Sequence, residues 1–443
     1  MGKVWLICGL FLLLSIPLFL SIDTLAPQPF TFFSFRKVFI QFTGIVAILA
    51  MSIAILLSIR LAIAEKALGG LDKSYRLHKW MGIIALSFSV LHWLAVEGAK
   101  WLVKAGVLVK PAHHHSEEAI SSVEATLKSY KHLAKDLGEW GFYLSVALIV
   151  LALVKWFPYH LFRKSHKWLA ILFLPLVFHS IVLFKFDYWS TFFGWLCLLV
   201  MLLATLGCIL VLFNKVGKAR KVEGKIISLT AYPGVKAIQG TVLLDTGWAG
   251  HKAGQFAFVT SNQKEGAHPY TIASAWNEQE QELSFVVKTL GDWTKKLPDY
   301  LTVGMPVTIE GPYGYFDFVS PAPKQIWIAG GIGITPFIAK MKERALKPSD
   351  LPVTLFYVTK QYDQQAVEKL KEDALQGNIR LIVYDSSEKG RFTADFVTEH
   401  VEDWQQASVW FCGPALFGKQ IKDALSKQSE RKIEFHQELF DMR

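Results

Sequence analysis

Four histidines stand where an apolar chain ordinarily excludes polar rings. His78 and His92 are 14 residues apart and His166 and His179 are 13 apart, each pair in or beside a long hydrophobic run. On a helix, 14 residues cover about 21 Å and return to within about 40° of the same face, so one helix presents two imidazoles at two depths. Thirteen residues cover about 19.5 Å, a matching depth, but an ideal helix sets the two rings roughly 140° apart. Pro175 lies between this second pair, where a proline kink can rotate the later half of a helix. Two imidazoles facing each other across a flat macrocycle suit iron, so the four residues read as axial ligands of two stacked haems, His78 with His166 and His92 with His179. Four satisfied histidines near span ends are the plainer alternative. His160 lies off this ladder and reads as an interfacial side chain.

A second set of residues lies downstream. The run His268-Pro269-Tyr270-Thr271 offers an aromatic ring and a hydroxyl on one strand, a combination that can meet an isoalloxazine and hydrogen-bond near its N5. Lys288, Gly291 and Thr294 follow, where a glycine turn, a hydroxyl and a positive charge suit a pyrophosphate. The segment Gly330-Gly331-Ile332-Gly333-Ile334-Thr335-Pro336 ends one strand and opens a helix, so its backbone can approach a phosphate at a helix N-terminus. It is not the GxGxxG dinucleotide fingerprint. Cys412-Gly413 ends another strand at the carboxyl edge of the same sheet, where a small thiol can touch a nicotinamide ring or pack as an ordinary buried side chain.

The elements that must position these groups follow from hydropathy. Hydrophobic residues make up 52% of the 443, and the excess sits in runs near the roughly 20 residues that cross a bilayer. Six spans read at about 4–21, 38–59, 79–97, 140–157, 167–184 and 190–213, the first a retained span rather than a cleaved signal. Basic loops at 60–79, at 155–167 and after 213 alternate with less basic ones, which sets both termini in the cytoplasm of a cell (inner) membrane protein. The outer stretch 98–139 carries lysines too, balanced by acidic residues, with a short helix expected from Ser116; the run His113–His115 before it reads as a solvated loop. The net charge of +10 gathers beside the spans, which points to membrane lipid as a partner and away from nucleic acid. Cys8, Cys197, Cys208 and Cys412 make no CxxC pair, so neither a disulfide framework nor a zinc site is indicated.

After Lys221 the texture changes to short alternating strands with Gly and Pro turns, an antiparallel β-barrel to about Val319. From Gln325 strands and helices alternate, with strands at 326–329, 353–358, 380–384 and 408–411, the pattern of a parallel α/β domain. The expected architecture is a multi-domain membrane protein: a six-helix transmembrane bundle over 1–214, a flavin-binding antiparallel β-barrel over 220–319 and a parallel α/β nucleotide-binding domain over 320–443.

The order HPYTIASA, GDWT, EGPYG, GGIGITPF and FCGP, behind six spans with 14- and 13-residue histidine pairs, resembles the NADPH oxidase and ferric reductase superfamily over nearly the whole chain. The resemblance implies FAD at the HPYT region, with Tyr270 and Thr271 at the ring and His268 and Thr294 near its phosphates. It implies NADPH at Gly331, Gly333, Thr335 and Gly413, Cys412 beside the hydride path, and haem iron on the four histidines. A C-terminal aromatic stacks on the flavin in this family, and Phe440 is the counterpart, followed here by three more residues. Val96, one turn past His92, stands where animal oxidases carry a further histidine, which leaves ferric chelates, oxygen or a periplasmic carrier open as the acceptor.

The resulting expectation is a transmembrane oxidoreductase that passes electrons from cytoplasmic NAD(P)H through FAD and two b-type haems to an acceptor on the far side. NADPH is favoured over NADH because Lys360 and Arg391 follow the second and third strands of the α/β domain, within reach of a 2′-phosphate. The alternatives are a membrane-anchored NAD(P)H flavin reductase with a cytoplasmic acceptor, and a permease or channel with a nucleotide-sensing domain. Oligomeric state is not legible.

Overall fold

The computed structural model describes residues 2–109, 121–154, 156–157 and 159–438. Its contacts separate into two compact units, Met1–Leu68 with Lys73–Val216, and Gly69–Asp72 with Gly217–Arg443.

The first unit is helical: α1 (Gly2–Leu20), α2 (Phe32–Ser58), α3 (Ala62–Leu68), α4 (Leu71–Lys104), α5 (Ser122–Ser129), α6 (Lys131–Leu153), α7 (Tyr159–Leu183) and α8 (Phe192–Leu212). Six of these are long and apolar enough to cross a membrane: α1, α2, α4, α6, α7 and α8. Leu13, Trp195 and Leu206 are more than half exposed, as lipid-facing side chains are, while Ala50, Ala204 and Cys208 are buried where helices meet. Helices α2, α4, α6 and α7 begin six to nine residues before the apolar runs read from sequence, because a helix satisfies its own backbone beyond the hydrocarbon edge, while α8 falls just inside its expected bounds. Two expected basic loops are therefore largely helical: Lys73, Arg76 and Lys79 ride on α4, and Arg163, Lys164 and Lys167 on α7. The expected helix start at Ser116 and the run His113–His115 lie outside the described residues, and the helix found in that stretch is α5, capped by Ser121.

The second unit opens with β1 (Lys221–Tyr232), β2 (Ala237–Leu244), β3 (Phe256–Thr260), β4 (His268–Thr271), β5 (Glu282–Lys288), the short α9 (Leu297–Tyr300) and β6 (Pro306–Tyr313). These strands form an antiparallel sheet in the order β4-β3-β6-β1-β2-β5 around a core that includes Val222, Val242, Leu283 and Ile309. Its two edges meet at one bridge, Ile272 with Phe285, so the sheet curls into a barrel joined there by a bridge rather than a continuous ladder.

Next come β7 (Gln325–Gly330), α10 (Thr335–Leu346), β8 (Val353–Thr359), α11 (Gln364–Gln376), β9 (Arg380–Asp385), α12 (Ala394–His400), β10 (Ser408–Cys412), α13 (Ala415–Gln428) and β11 (Phe435–Glu438). The sheet is wholly parallel, in the order β11-β10-β7-β8-β9. Every residue of β7 and β10 is buried, as expected for central strands covered by helices on both faces. The edge strand β11 was not expected, because its residues Phe435-His436-Gln437-Glu438 carry no apolar run. Phe316 and Phe318, just past β6, pack with Trp327, Phe337 and Trp410 in the α/β core.

Candidate functional site

Helix α4 carries His78 and His92, and α7 carries His166 and His179. The ring centroids of His78 and His166 are 5.8 Å apart, and those of His92 and His179 are 6.2 Å apart. Helices that meet at both pairs in this order run in the same direction. The phase mismatch of the 13-residue pair does not keep His179 from its partner; α7 runs through Pro175, a residue that removes one backbone donor from the ladder.

The other nitrogen of three of these rings is spoken for. The Nδ1–H of His78 donates to the Ala54 carbonyl at 2.7 Å, that of His92 to Ile40 at 3.0 Å and that of His179 to Ala134 at 2.7 Å. A carbonyl can only accept, so each of these rings is a tautomer with its proton on Nδ1 and a lone pair on Nε2. Backbone acceptors commonly orient metal-ligating histidines in this way. The close approach requires glycine at Gly138, one turn after Ala134, where a Cβ would meet His179 at 2.0 Å; at Gly44, one turn after Ile40, a Cβ would meet the His92 ring at 3.1 Å, a tight fit. The Nδ1 of His166 is buried with no hydrogen-bond partner among the described residues. Sequence reading found the histidines and missed these glycines and carbonyls, since a backbone acceptor leaves no residue signature.

A metal bound to two facing imidazoles sits about 2 Å from each nitrogen, which puts the ring centroids about 6 Å apart. Both pairs match that spacing. The donor set, three imidazoles with a free Nε2 and a fourth whose Nδ1 has no partner among the described residues, therefore fits haem iron.

In the second unit, His268 and Tyr270 share one side of edge strand β4, where Pro269 costs the sheet nothing. The His268 ring lies between those of Tyr270 and Trp293, 6.3 Å from each with planes within 14° and 20° of parallel. Trp293 is a member of this row that sequence reading passed over. Thr271, the next residue along the pleat, is buried on the opposite face. Thr294 accepts hydrogen bonds from Leu290 N at 3.0 Å and Gly291 N at 2.8 Å, so its hydroxyl fixes the turn that Gly291 makes.

The glycine loop follows β7 as a single 3-10 turn, Gly331–Ile334, and opens α10 with Pro336 in its first turn, where a missing N–H is tolerated. Gly331 has φ +56°, and open space lies where its Cβ would be. Gly333 instead packs on the other strand-end loop, for a Cβ there would meet the Cys412 carbonyl oxygen at 2.2 Å. Gly330 lies against the same loop less tightly, a Cβ there meeting Pro414 Cδ at 3.0 Å and Gly413 Cα at 3.4 Å. The two loops thus touch backbone to backbone, and the Thr335 hydroxyl, donating to Ile332 O at 2.6 Å, holds the turn shut.

Cys412 is fully buried and pairs in register with Glu438 on β11. Burial, and then the Glu438 carboxylate, push its thiol well above the usual range. Sequence reading missed Glu438 along with its strand. Phe440 lies outside the described residues.

Lys288 at the end of β5 and Gly331 line one cleft, with Tyr232, Lys342, Lys369 and Asp373 around them. Burial, and then the charge of Lys236, hold the Lys288 ammonium below its ordinary value, and burial does the same to Lys342 against the pull of Asp373. A crowded, partly dehydrated set of ammonium groups beside a glycine loop is suited to a phosphate. Lys360 is exposed just past β8, while Arg391 donates to Gln420.

Comparison with known proteins agrees with this arrangement. Residues 43–177 match the family described as ferric reductase like transmembrane component, and residues 245–317 match an FAD-binding domain. Ferric reduction oxidase 4 of Arabidopsis thaliana is 41% identical over 92 residues, 20% of this chain and 13% of that protein. Respiratory burst oxidase homolog protein E of the same plant is 26% identical over 223 residues, 42% of this chain and 22% of its own. The chain joins a ferric reductase like transmembrane component to an FAD-binding domain, the combination of the NADPH oxidase and ferric reductase superfamily.

The two matches and the six apolar helices make it a multi-pass membrane protein with an FAD-binding domain. The transmembrane match includes His78, His92 and His166 and ends two residues short of His179, and the FAD-binding match includes β4 and Thr294. The chain spans about an eighth of the length of the ferric reduction oxidase it matches, and about a fifth of the respiratory burst homologue. Among solved structures, a ferredoxin reductase in carbazole 1,9a-dioxygenase aligns with 18% identity and a TM-score of 0.43, covering 50% of this chain and 69% of that one.

Proposed function

We propose that this protein carries electrons from NAD(P)H, through bound FAD and two b-type haems at different membrane depths, to an acceptor on the far side, a ferric chelate or oxygen. The observation that carries the reading is the pair of facing imidazoles repeated at two depths, 5.8 and 6.2 Å between ring centroids, with three of the four Nδ1 protons given to backbone carbonyls. FAD held here would supply the exchange between hydride and single electrons, and haem held by paired imidazoles would supply one-electron transfer.

The chain's own residues supply position. Ala54, Ile40 and Ala134 orient His78, His92 and His179 through Nδ1, which leaves each Nε2 as the atom that would hold an iron. His268, Tyr270 and Trp293 offer a row of rings for the flavin, and the Gly291–Thr294 turn offers backbone to its phosphates. Lys288 with Gly331 holds the nicotinamide nucleotide's phosphates, the Gly333–Cys412 contact shapes the floor for its ring, and Lys360 meets a 2′-phosphate in preference to the already engaged Arg391. The alternating basic segments Lys73–Lys79, Arg163–Lys167 and Lys215–Lys221 favour a cytoplasmic second unit in a cell membrane rich in anionic lipid.

The deciding experiment is the optical spectrum of detergent-purified protein, before and after anaerobic NADPH. Two b-type haems per chain that become reduced support the reading. Flavin bleaching without haem leaves an anchored flavin reductase, and a colourless protein a nucleotide-sensing permease; either outcome removes all four histidine assignments.

A further inference from the structure

The barrel and the α/β sheet of the second unit are joined covalently through the segment after β6, where Phe316 and Phe318 are sunk in the α/β core. A second junction lies elsewhere, on the β1–β2 hairpin. Asp363 is the N-cap of α11: its Oδ1 accepts from Ala366 N at 3.0 Å. Its Oδ2 accepts from Gly234 N, in the hairpin turn, at 2.8 Å. The fit is close, since a Cβ on Gly234 would stand 2.5 Å from the Tyr362 carbonyl oxygen and 2.9 Å from Asp363 Cβ.

The same hairpin reaches the cleft. Val235 lines it, and the Lys236 carbonyl accepts from Thr289 N at 2.9 Å, one residue past Lys288. A short chain of contacts thus runs from Asp363 through Gly234 and Lys236 to the strand end that carries Lys288, the residue facing Gly331 across the cleft.

We propose that Asp363 is a positioning residue for hydride transfer: it latches the barrel hairpin to α11 and so fixes Lys288 opposite the glycine loop. The inference rests on the function proposed above, because Lys288 and Gly331 are taken as nucleotide ligands. The carboxylate suits the role because its two oxygens serve two amides, one on each side of the cleft, and a charged acceptor makes the stronger hydrogen bond. With the covalent joint fixed by the aromatic plug, loss of the latch lets the cleft open about that joint. A displacement of an ångström at a reacting centre is enough to slow chemistry by orders of magnitude.

The test uses full-length protein loaded with FAD. Asp363→Asn keeps an oxygen for the helix cap and loses the second acceptor, and Gly234→Ala pushes the hairpin away from its partner. Anaerobic stopped-flow bleaching of the flavin by NADPH should slow roughly tenfold at saturating nucleotide in each variant. The double variant should be no slower than either single one. Independently of turnover, amides of 232–237 should exchange faster in Asp363→Asn, with those of 364–376 unchanged. Wild-type bleaching in Asp363→Asn, or lost protection along α11, overturns the latch. Flavin that NADPH fails to bleach in the wild type sinks the proposed function and the latch together.

Discussion

A methyl group at Gly138 would stand 2.0 Å from the Nδ1 of His179. Alanine cannot avoid this, because the ring is held there by its hydrogen bond to the Ala134 carbonyl at 2.7 Å. Gly138→Ala should therefore displace His179, and haem per chain should fall from two towards one. Gly141→Ala is the control: its Cβ meets the end of Leu176 at 2.9 Å, a flexible side chain that can give way. A haem-to-protein ratio unchanged in Gly138→Ala would contradict the assignment of His179.

Lys288→Met should raise the KM for NADPH in flavin reduction about tenfold, the loss expected for one charge-assisted contact, with the rate at saturation much less affected. Steady-state and stopped-flow titrations separate the two. An unchanged KM would move the phosphates elsewhere in the cleft.

Cys412 links pH to the stability of the α/β sheet. Its folded pKa is raised by burial and by Glu438, so the folded state holds its proton above the pH, about 8.5, at which the unfolded thiol ionises. Stability is therefore fully present below that pH and declines as pH rises beyond it. Thermal midpoints between pH 7 and 10 should fall more steeply in the wild type than in Cys412→Ala. Maleimide should label this position only after unfolding.

Asp23, in the connection after α1, accepts hydrogen bonds from Tyr188 and, at 3.2 Å, from Lys185. Burial raises its pKa, but these two bonds and the Thr24 amide outweigh it and hold the carboxyl below its usual value. The stabilisation is present above about pH 4 and is lost as pH falls through the folded pKa. Tyr188→Phe should cost about 1–3 kcal/mol, since the half-buried carboxylate then lacks its main donor. Unfolding in detergent at pH 6 and pH 3 checks both statements, the difference between variant and wild type shrinking at the lower value.

The spans and the alternation of β7 to β10 were legible because burial on every side writes itself as continuous apolar residues. β11 was not, since an edge strand ending in His436-Gln437-Glu438 needs only one buried face. The histidines were legible by chemistry: four costly rings at matched spacing call for a reason. Gly44 and Gly138 were silent, because a glycine that makes room for a partner from another helix looks like any glycine in a span. The cleft was half legible; Lys288 and Gly331 were both picked out, but only folding shows that they face one another. The hydroxyl of Thr294 also holds its own turn, a role that its residue type alone does not reveal.

The carbonyls of Ile40 and Ala54 are 14 residues apart on α2, the same interval that separates His92 and His78 on α4. The two helices therefore serve as a ruler and its copy, laid head to tail. Inserting or deleting one residue within either interval would rotate one mark by about 100° and shift it by about 1.5 Å, so that only one histidine could find its acceptor. Changes of length in this half of the chain should be confined to the connections between helices. Homologues and designed chimeras that keep both marks can still vary in the length of the connections outside them.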